Sequence, residues 1–489
     1  MGFLSKIQSS LFENRTSRQT IAKNAFWLSI GQLGSRLLRA SIIIYAARVL
    51  GAAEYGLFSY ALGLAGFFTV FADIGVGQIM TRESAKNPES RSYYFSTTFW
   101  IKLILLIFAA LVIIIFVPRF SNVALIETLL PFVALLVFFD GLRDFSLSFF
   151  RALEKMEREA IITVLTNLVI VISGFIVFSF SASARTFMIA YAVSVALGAI
   201  TAIIILRKEF YKIFNYARIT LVKPIIYSAL PIALSSTLGA FMLNTDLLML
   251  GWWQSAEQIG YYSAGQKIAQ LLFTLPAIIA SAIFPTLARL IGEGAHEKVK
   301  ILMQKSLLLA FLGALPITLG GIILGKQIVG LIYGPTYMPA ILKFQILMIT
   351  VLLNFPGVLI GNAAIAHDKQ RQITKYLLVA ALSNVLFDAL LIPLYGIIGS
   401  TIATIIALTI DVGLCWSLLK KITGFSVLPH MGKILFASVL MGSATLTLYI
   451  IGLPLLPNII LSGMLYFGIL FLLKEKIFEE FAFIQRVFS

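Results

Sequence analysis

Eleven ionisable residues stand inside long apolar runs of this chain: Arg36, Arg39, Lys102, Arg143 and Lys267, with Asp73, Asp140, Asp144, Asp246, Asp388 and Asp411. A charge at the centre of a bilayer costs about 2.5–3.5 kcal/mol, so each needs a partner, water or a function. Arg36 and Arg39 are one helical turn apart and share a helix face. Two guanidinium groups placed so could hold an anionic substrate; the plainer reading is snorkelling, or pairing with a carboxylate of a neighbouring helix. Asp73, Lys102, Asp140, Arg143 and Asp144 fall at similar depth in three consecutive apolar runs. They read as a charge network, either a fixed structural one or a gate whose pairs exchange when the protein changes state.

Asp246 and Lys267 lie in consecutive runs, each some distance from the outer end. They could form a salt bridge; alternatively Asp246 binds a coupling ion and Lys267 contacts substrate. Asp388 and Asp411 could carry a proton, or simply bond to Asn384 and nearby hydroxyls. H+ or Na+ are the coupling ions considered, and no other cofactor is expected. The single cysteine, Cys415, excludes a disulfide framework, and His296, His367 and His430 are too scattered in sequence for a histidine metal cluster, so no metal site is expected.

The elements that must position these charges follow from composition. The chain has 489 residues, 59% of them hydrophobic and 12% charged, against roughly 25% charged in soluble domains. Reading apolar runs of about 20 residues gives fourteen spans: 22–49, 55–81, 92–117, 123–150, 159–180, 186–206, 224–252, 258–288, 302–326, 339–366, 372–394, 397–419, 432–451 and 455–473. Alternate loops carry twenty-eight Lys and Arg on one side and five on the other. Bases favour the cytoplasmic side, so both termini are expected in the cytoplasm of a cell-membrane protein with many passes. The net charge of +16 is thereby read as a topology signal, and nucleic acid is not expected as a partner.

The chain also repeats itself. Glu54-Tyr-Gly-Leu-Phe-Ser59 opens the second span and Gln258-Ile-Gly-Tyr-Tyr-Ser263 the eighth, with Gly56 aligned to Gly260, Phe58 to Tyr262 and Ser59 to Ser263. Six plus six plus two spans follow, the two sixes being parallel repeats. The expected organisation is a cytoplasmic N-terminal segment 1–21, an N-lobe 22–207, a cytoplasmic linker 208–223, a C-lobe 224–420, two further helices in 421–473 and a cytoplasmic tail 474–489 with amphipathic character. Gly31, Gly34 and Pro231 are expected to bend spans 1 and 7. Pro276, Pro285, Pro316 and Pro356 are expected to interrupt spans 8 to 10.

Ala46-Ala-Arg-Val-Leu-Gly51, Tyr55-Gly-Leu-Phe-Ser59, Phe71-Ala-Asp-Ile-Gly-Val-Gly77 and Arg82-Glu83 together resemble the opening of polysaccharide flippases of the MOP superfamily. That superfamily holds the Wzx-type O-antigen flippases and, more distantly, MurJ lipid II flippases and MATE exporters. Asp246-Leu-Leu-Met-Leu-Gly251, Gly260-Tyr-Tyr-Ser-Ala264 with Lys267, Tyr333-Gly-Pro-Thr-Tyr337 and Tyr395-Gly-Ile-Ile-Gly399 extend the likeness through the second half. The resemblance implies an all-α polytopic membrane protein, two six-helix lobes in a V with two C-terminal helices. It implies a transporter that moves a lipid-linked, diphosphate-linked oligosaccharide from the cytoplasmic to the outer leaflet by alternating access, for cell-surface polysaccharide. Its partners would be that substrate, membrane lipids and other polysaccharide-assembly proteins. Arg36, Arg39 and Lys267 would be substrate-binding, the first two resembling a basic cavity thought to hold the pyrophosphate.

The alternative is a MATE-like, cation-coupled multidrug exporter, against which two arginines in the first span argue. An enzyme is not expected, and no catalytic residue is assigned: the outer loops are short, and Glu54, Glu127 and Glu257 are the only acids on that face.

Overall fold

The computed structural model describes residues 17–473. Residues 1–16 and 474–489, the larger part of the expected N-terminal segment and the whole expected tail, lie outside the described residues. Within them every regular element is helical. Two compact units divide at Glu257.

The first unit holds α1 (Ser17–Phe71), α2 (Val76–Lys86), α3 (Arg91–Phe120), α4 (Leu130–Ala152), α5 (Met156–Phe180), α6 (Ala184–Ile205), the short α7 (Arg207–Phe210) and α8 (Ile219–Trp253). α1 contains the first expected stretch and most of the second, because the chain kinks at Gly51 and the helix resumes. Gly51 has φ 74° and ψ 175°, a backbone region open in practice to glycine alone. The second stretch is not continuous: it breaks at residues 72–75 and bends by 46° between α1 and α2. Ile74 (φ 39°) and Gly75 (φ 75°) cause the break, since neither continues a right-handed helix.

α1 lies along α5, and Gly31 is where they approach: a Cβ there would stand 2.8 Å from the Cβ of Ala160. Gly31 therefore serves close helix packing, as small residues do in membranes. α4 packs on α3 and α6, and Phe95, Phe145, Phe149 and Phe210 join their rings into an aromatic core. α8 packs on α1, α2 and α3. Unit division follows these contacts, whereas the lobe division at 223 follows the repeat.

The second unit holds α9 (Ala256–Leu272), α10 (Thr274–Gly292), α11 (His296–Ile323), α12 (Gly325–Tyr333), α13 (Ile341–Ala366), α14 (Gln370–Tyr395), α15 (Ile397–Thr423), α16 (Gly432–Ile450) and α17 (Leu455–Leu472). The eighth stretch is two helices, with Pro276 near the start of α10, where a missing N–H costs least. Pro316 and Pro356 do not divide their helices: α11 and α13 run through them. A proline removes one backbone bond, and the rest of a long helix carries on past it. Gly334 (φ 91°) ends α12 and lets Tyr333 and Tyr337 pack with centroids 5.2 Å apart, while Tyr333 donates to the carbonyl of Ala264. The aligned repeat residues share an environment: Phe58, Ser59, Tyr262 and Ser263 are all buried.

Among the described residues, ten helices are long and apolar enough to cross a membrane, eleven with the bent α1–α2 pair. α4 falls outside that set because Asp140, Arg143 and Asp144 crowd its middle. The chain is a multi-pass membrane protein.

Candidate functional site

Arg36 and Arg39 are both exposed on α1, midway along its first straight stretch. Arg39 donates from Nε to Oδ1 of Asn167 at 3.2 Å, and Asn167 in turn donates from Nδ2 to the carbonyl of Thr163 on α5. The amide thus holds the guanidinium by one nitrogen and leaves a fork of further donors for an anion. Asn167, fully buried, was missed by sequence reasoning. An uncharged amide deep in an apolar run is the signal that could have found it.

The five charges expected at matching depth do come together within the first unit. Lys102, 1% exposed, donates to Oδ1 of Asp73 at 2.8 Å. Asp73 sits in the break between α1 and α2, so the lysine of α3 pins the point where the second stretch bends. Arg143 meets Asp140 through Nη2 at 2.5 Å and Asp144 at 3.9 Å. Asp144 is also within electrostatic reach of Lys102 and Asp73. The spacing 140, 143, 144 does put these three on one face of α4.

Two more ion pairs, absent from the sequence-based candidates, tie helix ends of the first unit together. Lys23 of α1 donates to Glu157 of α5 at 2.9 Å with its side chain 1% exposed. Arg151 grips Glu159 with Nε and Nη2 in a bidentate pair. The hydrogen bond to Glu159, working against burial, holds the Arg151 guanidinium above its ordinary range. Burial pushes the nearby Glu83 carboxyl up, but Arg82 and Lys86 outweigh it and hold the group below the ordinary carboxylate range.

Asp246 is buried on α8 of the first unit, while Lys267 lies on α9 of the second and donates to Gln270 at 3.4 Å. In the second unit Asn384 and Asp388 are buried one turn apart on α14. Asp411 of α15 is half-buried, with the Cys415 thiol 4.0 Å from its Oδ1. Asp388 and Asp411 thus occupy neighbouring, tightly packed helices.

Residues 21–291 match the family model described as polysaccharide biosynthesis protein, and residues 231–390 match the MatE model. The chain is 21% identical over 399 residues to "Probable low-salt glycan biosynthesis flippase Agl15" of Haloferax volcanii, covering 80% of this chain and 82% of that one. It is 22% identical over 393 residues to the "Capsular polysaccharide biosynthesis protein CapF" of Staphylococcus aureus, covering 79% and 96%. Among solved structures it resembles the lipid II flippase MurJ in an inward closed conformation, with TM-score 0.75 at 18% identity over 93% of this chain and 99% of that one. At that identity the likeness establishes a shared fold.

Proposed function

The chain belongs to the polysaccharide biosynthesis protein family, in the MOP superfamily, and on that premise we propose that it is a Wzx-like flippase for a lipid-linked oligosaccharide. The observation that carries the reading is the pair Arg36 and Arg39, exposed one turn apart on a membrane helix. A diphosphate crossing the bilayer needs fixed cations that compensate its lost hydration, and a bidentate guanidinium suits phosphate oxygens. Arg36 and Arg39 bind the diphosphate and Lys267 contacts substrate nearer the outer side. The lipid tail stays in hydrocarbon while the sugars cross a wet path. The chain has fourteen crossings in the cell membrane, both termini cytoplasmic, and moves substrate outward by alternating access.

Transport without catalysis fits its relatives: one carries the word flippase and another capsular polysaccharide biosynthesis in its name. Asp246, Asp388 and Asp411 are the candidates for H+ or Na+ coupling, each buried or half-buried in a long helix. Other polysaccharide-assembly proteins would deliver and consume the substrate. A MATE-like exporter is the second reading, favoured by the MatE match over residues 231–390; the two arginines in the first stretch disfavour a cationic substrate.

The deciding experiment depletes the protein and measures the leaflet distribution of lipid-linked glycan. Accumulation on the cytoplasmic leaflet is expected. An unchanged distribution would defeat the flippase reading.

A further inference from the structure

We propose that the first unit contains a proton-binding site at Asp144, built by the charges of α3, α4 and the α1–α2 break and independent of the oligosaccharide reading. The cluster has three carboxylates, Asp73, Asp140 and Asp144, and two cations, Lys102 and Arg143. Each cation is already committed: Lys102 to Asp73 at 2.8 Å, Arg143 to Asp140 at 2.5 Å. Asp144 is the carboxylate left over, with Arg143 no nearer than 3.9 Å. With every group ionised the cluster carries one uncompensated negative charge at membrane depth. Such a charge is expensive there, and one proton removes it.

Arg143 supplies the second observation. Its side chain is only 7% exposed, and while Nη2 is bonded, neither Nε nor Nη1 has an acceptor. Buried guanidinium donors are rarely left idle. They are the donors an ionised Asp144 would accept from if its carboxylate turned toward them. Asp144, at 3.9 Å, makes no close bond to Arg143, whereas Asp140 does. Loss of the proton draws the carboxylate onto Arg143 and loosens the grip on Asp140. Asp144 is also the least enclosed of the three, its side chain 58% exposed against 38% for Asp73 and 27% for Asp140.

The groups facing Asp144 from each helix packed on α4 are accounted for. α4 itself gives Asp140, Arg143 and Arg151; α3 gives Lys102; the end of α1 gives Asp73; and α6 gives Tyr191, which acts on Arg143. α5 contributes Glu159, which Arg151 holds bidentately. α2 faces α4 with Gly77 and Thr81, neither of which titrates. Glu127 stands beyond the opposite end of α4.

Infrared difference spectroscopy of the purified protein in lipid vesicles, stepped from pH 8 to pH 5 without any glycan, tests the site. A carbonyl band of a protonated carboxylic acid should grow as pH falls, and Asp144→Asn should remove the amplitude of one group. Asp73→Asn and Asp140→Asn each restore neutrality without a proton, so either should move the Asp144 band to lower pH. An unchanged spectrum in Asp144→Asn overturns the proposal. Should that variant fail to fold, an unmoved midpoint in both Asp73→Asn and Asp140→Asn overturns it equally. Because no transport is read, the result stands apart from the flippase assay.

Discussion

The ammonium of Lys102 lies 2.8 Å from the Asp73 carboxylate at the place where α1 gives way to α2. A lysine with 1% of its side chain exposed fixes a backbone break whose Ile74 adopts φ 39°. The break therefore has a defined geometry, and losing the pair should loosen it.

Removing one partner strands a charge. Asp73→Ala should destabilise the protein by up to about 3 kcal/mol, the low end of the range for breaking a buried ion pair, because Asp73 is itself 38% exposed. The double change Asp73→Asn with Lys102→Met should recover much of that loss, because two well-packed uncharged groups leave nothing stranded. Thermal unfolding in detergent, compared across the three variants, checks this. A double variant no more stable than Asp73→Ala alone would mean the lysine has another essential partner.

Arg36→Ala with Arg39→Ala should abolish glycan export while the protein still reaches the membrane. Asn167→Ala should weaken export less, since it frees Arg39 Nε without removing a charge. A hydrogen bond to a charged group is worth about 1.5–3 kcal/mol, so losing it corresponds to a drop of about tenfold to a hundredfold. Surface polysaccharide, quantified alongside membrane abundance, is the readout. Full export in the double variant would remove the arginines from the substrate path.

The helix content was legible because it depends on local composition. The five-charge cluster was legible too, since 140, 143 and 144 share a helical face whatever else packs near them. Lys23–Glu157 was not: its residues are 134 positions apart, and nothing local says that helix ends will meet. The break at Asp73 was hidden for another reason. An isoleucine in a left-handed conformation goes against propensity, so only tertiary packing selects it. The prolines misled in the other direction, because a long helix held by its neighbours tolerates one missing bond.

Gly396 and Gly399 close the turn between α14 and α15, and each should resist substitution for its own reason. Gly396 has φ 59° and ψ −137°, strain that a Cβ-bearing residue would meet at a cost of about 1–3 kcal/mol. At Gly399 an added Cβ would collide with the backbone carbonyl of Leu391, and a backbone yields less than a side chain. Gly399→Ala should therefore lower folded yield more than Gly396→Ala. Size-exclusion profiles of the two variants would show it; equal, wild-type profiles would mean the hairpin can open.

Exchanging Asp246 and Lys267 separates two roles. If they act as a pair, the exchanged variant should regain export that either single alanine substitution loses. If Asp246 binds a coupling ion, the exchange should fail, and the dependence of export on H+ or Na+ should change in Asp246→Asn alone. Export measured at two sodium concentrations and two pH values distinguishes these outcomes.

His367 gives the stability a defined pH dependence. It follows α13, half-buried, with no hydrogen-bond partner at Nε2. Burial, then the positive Lys369 and the neighbouring His296, hold its imidazole below the ordinary histidine range, against a smaller opposing pull from Asp368. The folded protein thus binds this proton less well than the unfolded chain. Between the two values the unfolded state carries more protons, so stability rises with pH. The contribution is complete above about pH 6.5, the unfolded value, and declines as pH falls toward the folded value. Glu83 acts in a lower window: its depressed folded value gives stability that is present above about pH 4.3 and lost as the pH falls through it. Unfolding midpoints should therefore drop from pH 7 to pH 5.5, and His367→Gln should flatten that drop while leaving the acid limb near pH 4 in place. A slope unchanged by His367→Gln would assign the proton uptake to another group.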